Sequence, residues 1–161
     1  MTNETCLPAW QERLRELLPL FGHRNWIVVA DAAYPAQANP GIETIATGAE
    51  QLDVVRAVAA ATASCSHVRA RILVDAELAH VSETDAPGIG AYREALREQL
   101  AGAESLPHEQ IIHKLDEAAS LFRVLLLKTT VTIPYTSVFF ELDCGYWSAE
   151  AEERLRQAIS G

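Results

Sequence analysis

Apolar residues recur along this chain in two rhythms, and the rhythms alternate. After Leu7-Pro8, Trp10, Leu14, Leu17, Leu18 and Phe21 fall at helical spacing, with Gln11, Glu12, Arg13 and Arg15 on the other faces. This predicts an amphipathic helix, ended or kinked by Pro19 near Leu18, with Gly22 as a second stop. Residues 26–30 (Trp-Ile-Val-Val-Ala) are a continuous apolar run closed by Asp31 and Pro35, which predicts a short buried strand. Beyond a polar loop at 36–41, the pattern predicts a strand over 42–46, a helix over 51–63 and a strand over 68–74, with Asp75, Glu77 and His80 near its end. A Pro/Gly loop leads to a helix over 91–100, stopped by Gly102. Then come a short strand at 109–113, a short helix at 114–121, and strands at 123–130 and 137–142 flanking a turn at 132–136. Residues 148–160 form a charged amphipathic helix with Ser148 as its N-cap.

Strands and helices that alternate in this way predict an α/β fold with helices covering both faces of one sheet. Two closely spaced strands near the end make the sheet mixed rather than purely parallel. At 161 residues the chain has room for a single domain, here residues 1–147, followed by an extra C-terminal helix at 148–161.

Composition narrows the function classes. With 49% hydrophobic and 22% charged residues the chain is expected to fold rather than stay disordered. A net charge of −9 repels nucleic acid and anionic membrane surfaces, whereas a neutral ligand is indifferent to that field. No run approaches the roughly 18 apolar residues that cross a bilayer, and the N-terminal stretch with Glu4, Glu12 and Glu16 does not read as a secretion signal. The expected compartment is the cytoplasm. Cys6, Cys65 and Cys144 are odd in number and far apart, so reduced thiols are expected and no metal site is.

Candidate chemistry is sparse, because no glycine-rich phosphate loop, Gly-x-Ser-x-Gly elbow or His-Glu-x-x-His is present. His23 precedes the first strand and Asp31 follows it, so they face a common site from different sides or across a subunit boundary. A loop histidine and a turn-forming aspartate are the plainer reading. His108 and His113 stand five apart, which on a strand points them to opposite faces and argues against a shared metal. Pro134-Tyr135-Thr136-Ser137 sets a phenol and two hydroxyls in a turn, where they can bond a polyhydroxylated ligand or merely pack.

Taken together, these pieces resemble the D-ribose pyranase and L-fucose mutarotase family. Gly22-His23, then Asp31-Ala32 and Pro35, is similar to the family's Gly-His and Asp-Ala-x-x-Pro signature, in which the histidine donates a proton and the aspartate binds sugar. Pro134-Tyr135-Thr136-Ser137 is similar to its Tyr-x-Asn turn, with Ser137 where asparagine is usual. Counting back from Tyr135 aligns His113 with the second sugar-binding histidine of the pyranase branch. His108-Glu109-Gln110 also looks like a local triplet of that branch, and fits if five residues are inserted after it.

The resemblance implies a monosaccharide mutarotase or pyranase, an isomerase that opens and recloses a ribose- or fucose-like ring. It implies His23 as the catalytic residue and Asp31, His113, Tyr135, Thr136 and Ser137 as substrate-binding residues. No metal and no cofactor are expected. A ring-like homo-oligomer, decameric in the relatives, is expected to share sites between subunits. The competing class is a non-catalytic sugar-binding or transport-associated module, with Ser137 as its support. A nucleotide-binding domain is disfavoured by the missing phosphate loop.

Overall fold

All five residues of β1 (Trp26–Ala30) are buried, which is what a strand covered on both faces requires. The computed structural model describes residues 6–161. After α1 (Ala9–Leu17) and β1 come β2 (Ile42–Ala46), α2 (Gln51–Ala63), β3 (Val68–Asp75) with a 3-10 turn at Ala76–Ala79, and α3 (Ile89–Gln99). The chain continues through β4 (Glu104–Leu106), α4 (His108–Ala119), β5 (Val124–Lys128), β6 (Val138–Cys144) and α5 (Ala149–Ser160).

The six strands lie in the order β2-β5-β1-β6-β3-β4. Five of them run the same way. β6 alone is antiparallel, wedged between β1 and β3, with Ile27 opposite Phe140 and Ile72 also opposite Phe140. The continuous apolar runs of β1 and β5 pair in parallel from Trp26↔Val124 to Ala30↔Lys128. The expected mixed sheet is therefore a parallel one with a single reversed strand.

Side-chain alternation sorts the core into two layers. Ile27, Val29, Leu125, Leu127, Phe140 and Leu142 meet α1, α2 and α3, whereas Trp26, Val28, Leu126 and Phe139 meet Ile111, Leu115 and Ala119 of α4. Helices thus cover both faces. No helix among the described residues is long and apolar enough to cross a membrane.

Two neighbouring stretches depart from the sequence pattern. The expected strand at 109–113 and helix at 114–121 are a single helix, α4, starting at His108. Ile111, Leu115 and Ala119 supply its buried stripe at a spacing of four, while the adjacent pair Ile111-Ile112 imitates a strand. Pro107 stands at the N-cap, and the Glu77 carboxylate accepts the His108 backbone N–H through Oε1 at 3.2 Å and Oε2 at 3.0 Å. The short edge strand β4, unanticipated, delivers the chain to that point. At the C-terminus Ser148 caps α5 as expected, its Oγ accepting the Ala151 N–H at 3.0 Å, yet no residue of α5 is buried.

Candidate functional site

The parallel strands β1, β3 and β5 end on the same edge of the sheet, where open α/β sheets hold their ligands. A cleft of about 790 Å³ opens there. Its walls come from the Asp31–Pro35 bend after β1, Asp75 at the end of β3, His108, Glu109, Ile112 and Asp116 on α4, and the 132–135 turn before β6.

Asp31 is tied into the bend. Its Oδ1 accepts the Ala33 N–H at 2.9 Å, while Ser137 Oγ lies 3.3 Å both from its Oδ2 and from its backbone N. Across the cleft, His108 Nδ1 is 2.9 Å from Asp75 Oδ1, and the Asp75 side chain is 1% exposed. Burial pushes the Asp75 carboxyl up from its ordinary value, and the hydrogen bond from His108 opposes that shift. The Tyr135 ring stands edge-on to His108, with centroids 5.8 Å apart. Tyr135 adopts a φ of +58°, a left-handed conformation that is strained for a bulky residue and that the turn must hold in place.

Beneath the turn, Gln51 is buried at the start of α2. Its Nε2 donates to Val29 O at 3.1 Å and Thr136 O at 2.8 Å, and its Oε1 accepts from Thr129 Oγ1 at 2.6 Å. Tyr92 Oη adds a second donor to Thr136 O at 2.6 Å. These bonds fix the cleft floor. Tyr34, itself buried, lines the cleft, and desolvation, followed by Asp116, Asp75 and Asp31, pushes its phenol up so that it stays a hydroxyl.

The electrostatics are one-sided. Asp31, Asp75, Glu109 and Asp116 face the cleft, and among the described residues no Lys or Arg does and His108 is the one group there able to carry positive charge. Such a site disfavours anionic ligands and suits neutral, hydroxyl-rich ones. Among the described residues no group of three or more His, Cys, Asp or Glu side chains is set to hold a metal ion.

A model of the RbsD / FucU transport protein family matches residues 7–142. The chain belongs to that family. Among solved structures, Bacillus subtilis RbsD complexed with D-ribose is 17% identical, with 89% of this chain and 98% of that chain covered and a TM-score of 0.57. The fucose mutarotase of Streptococcus pneumoniae in complex with L-fucose is 18% identical, with 86% and 97% covered and a TM-score of 0.56. FucU from Bifidobacterium longum is 12% identical, with 82% and 94% covered and a TM-score of 0.52. These likenesses carry the fold. No curated protein sequence matches the chain.

Of the residues singled out from the RbsD / FucU signature, Asp31 and Tyr135 meet in the cleft. Ser137 reaches Asp31 from below, and Thr136, 0% exposed, turns its Oγ1 to Ile133 O at 2.7 Å and does not line the cleft. His113 is absent from the cleft too. It stands on the outer face of α4, its side chain 76% exposed and 3.4 Å from Glu117. A helix turns about 140° over five residues, so His108 and His113 look in different directions.

His23 lies at the other end of β1, about 17 Å of strand away. Its Nδ1 is 2.9 Å from Asp143 Oδ1, its Nε2 is 3.2 Å from Arg24 Nε, and its side chain is 57% exposed. Asp75, Gln51 and Tyr34 escaped the sequence reading as site residues. The available signals were a carboxylate closing the apolar run of β3 and a glutamine opening the buried face of α2.

Proposed function

We propose that this chain opens and recloses the ring of a neutral monosaccharide, interconverting anomers or the pyranose and furanose forms of a ribose- or fucose-like sugar. The convergence of Asp31, His108 and Tyr135 on one cleft, lined by no Lys or Arg among the described residues, carries the reading. Family membership supports it, as do the ribose bound to Bacillus subtilis RbsD and the fucose bound to the Streptococcus pneumoniae mutarotase.

Ring opening needs one proton to leave the anomeric hydroxyl and another to reach the ring oxygen. Imidazole can do either near neutral pH. Asp31 and Tyr135 hold sugar hydroxyls, Ser137 orients Asp31, and His108 takes the place of His113 as the second histidine. His23 remains the proton donor if it enters the cleft of an adjoining subunit, which its exposure and its distance from its own cleft both favour. The assembly is then a ring-like homo-oligomer, a decamer in this reading, with residues 148–161 an extension outside the 1–147 sugar-binding domain.

A non-catalytic sugar-binding module is the second reading, favoured by the Ser137 hydroxyl, which is spent on Asp31 and offers no amide to a sugar. Saturation-transfer NMR on ribose and fucose separates the two. Faster exchange between ring forms, lost in His23→Gln, supports the isomerase; sugar binding without faster exchange selects the module.

A further inference from the structure

We propose that Asp75 is a positioning residue for ring opening, holding the His108 imidazole with Nδ1–H turned to its carboxylate so that unprotonated Nε2 accepts the anomeric hydroxyl proton. This rests on the function proposed above and adds the proton acceptor that must work opposite the donor. The step balances. The anomeric O–H proton passes to Nε2, its electron pair forms the C1 carbonyl, the bond from C1 to the ring oxygen breaks, and the ring oxygen takes a proton from the donor. Reclosure reverses each transfer.

Strand register brings the two residues together. Asp75 ends β3 and pairs with Leu106 of β4, and two residues later His108 starts α4. The ring is then held on several sides. Asp75 Oδ1 meets Nδ1 at 2.9 Å, Glu77 anchors the His108 backbone N–H, and the Tyr135 ring stands edge-on. An ionised carboxylate can only accept, so the proton of a neutral imidazole must sit on Nδ1 and the Nε2 lone pair is left free. Among the described residues no side chain or backbone group bonds His108 Nε2, and His108 lines the cleft. At 1% exposure Asp75 cannot exchange His108 for solvent, and His108 is its one hydrogen-bond partner among the described residues. Glu77 and Asp31 are the carboxylates that act on Asp75 from neighbouring segments.

A staple between β3 and α4 would have the same geometry, so the test reads protonation and chemistry rather than stability. In the full-length protein, two-bond 1H–15N spectra of histidine near neutral pH should report the Nδ1–H tautomer for His108. Asp75→Asn should redistribute it. The same variant should slow sugar exchange by at least about tenfold while the sugar dissociation constant stays within about twofold. In a His108→Gln background Asp75→Asn should slow nothing further. An Nε2–H tautomer in the active wild type, or an equal loss of rate in the His108→Gln background, overturns the inference and leaves the function standing. A wild-type chain that accelerates no sugar's exchange removes the function and the proton-accepting role together, and the tautomer then decides the positioning alone.

Discussion

The two ends of the sheet each carry a histidine–carboxylate pair with the same 2.9 Å contact, and the pairs differ in nearly everything else. His23 and Asp143 are 57% and 41% exposed, with Arg69 also on Asp143 at 2.9 Å and Arg24 beside the imidazole. His108 and Asp75 are 30% and 1% exposed, and among the described residues no Lys or Arg lines the cleft they face. The shared distance is therefore uninformative, and burial decides what each pair can do. Water and neighbouring guanidinium groups screen the first pair, whereas the second fixes the imidazole against a carboxylate that has nowhere else to turn.

The largest effect should come from deleting either imidazole. His108→Gln is expected to lower the sugar-exchange rate by about a hundredfold or more, the usual worth of a positioned acid–base group, as saturation-transfer NMR would measure it. His23→Gln should do the same only if adjoining subunits share sites. Mixing His23→Gln chains with His108→Gln chains should then regain part of the lost rate, because some sites receive both intact residues. Mixtures as inactive as their parents would confine each site to one chain and leave His23 without a catalytic part.

Tyr135→Phe sharpens the cleft end. Losing one hydroxyl hydrogen bond should weaken sugar binding by up to about tenfold, read by titration. The thermal midpoint should hold, because the ring that packs against His108 is kept.

Stability should set the two carboxylates apart in sign. Asp143 is held below the usual carboxylate range, first by Arg69 and also by the Cys144 N–H and His23. Its contribution is present above the unfolded carboxylate pKa of about 3.9 and is lost as pH falls through the lower folded value. At 41% exposure, screening keeps that contribution small, and Asp143→Asn should destabilise by under about 1 kcal/mol at neutral pH. Asp75 is shifted the other way by burial. Its stabilising contribution is present below about pH 3.9 and is lost as pH rises through its raised folded value. Above that value Asp75→Asn removes a buried charge, and thermal melting should show its midpoint raised relative to the wild type. A variant that melts higher while exchanging sugar more slowly would mark Asp75 as retained for chemistry.

Much of this architecture was legible in the chain. The apolar runs of β1 and β5, short and rich in branched residues, read as strands buried on both faces, and 51–63 reads as helix because its apolar spacing and its flanking polar residues agree. The 108–119 segment departs from the expected strand and short helix because Ile111-Ile112 and the neighbouring histidines imitate an extended run, and the Glu77 carboxylate that caps the helix comes from 31 residues upstream. The same distance hid the site. Asp31 and Tyr135 carry local signatures, whereas Asp75 acquires a role only when β3 and β4 align and bring His108 to it. Contacts made by register between distant strands leave no periodic trace along the chain.

The smallest effect belongs to α5. The helix starts six residues beyond Asp143, at the His23 end of the sheet, and buries none of its side chains, with Ile159 76% and Leu155 45% exposed. Its cap and its internal Arg156–Glu152 pair at 2.9 Å stabilise the helix locally, and neither reaches the core. Removing residues 148–161 should accordingly change unfolding stability by less than about 0.5 kcal/mol in denaturant titration, as for surface substitutions that touch no core contact. The His108 tautomer should be unchanged, because every group that holds His108 lies at the opposite edge. If the truncation instead slows sugar exchange while the folded chain melts as before, then α5 serves the His23 end, and the two ends of the sheet depend on different parts of the protein.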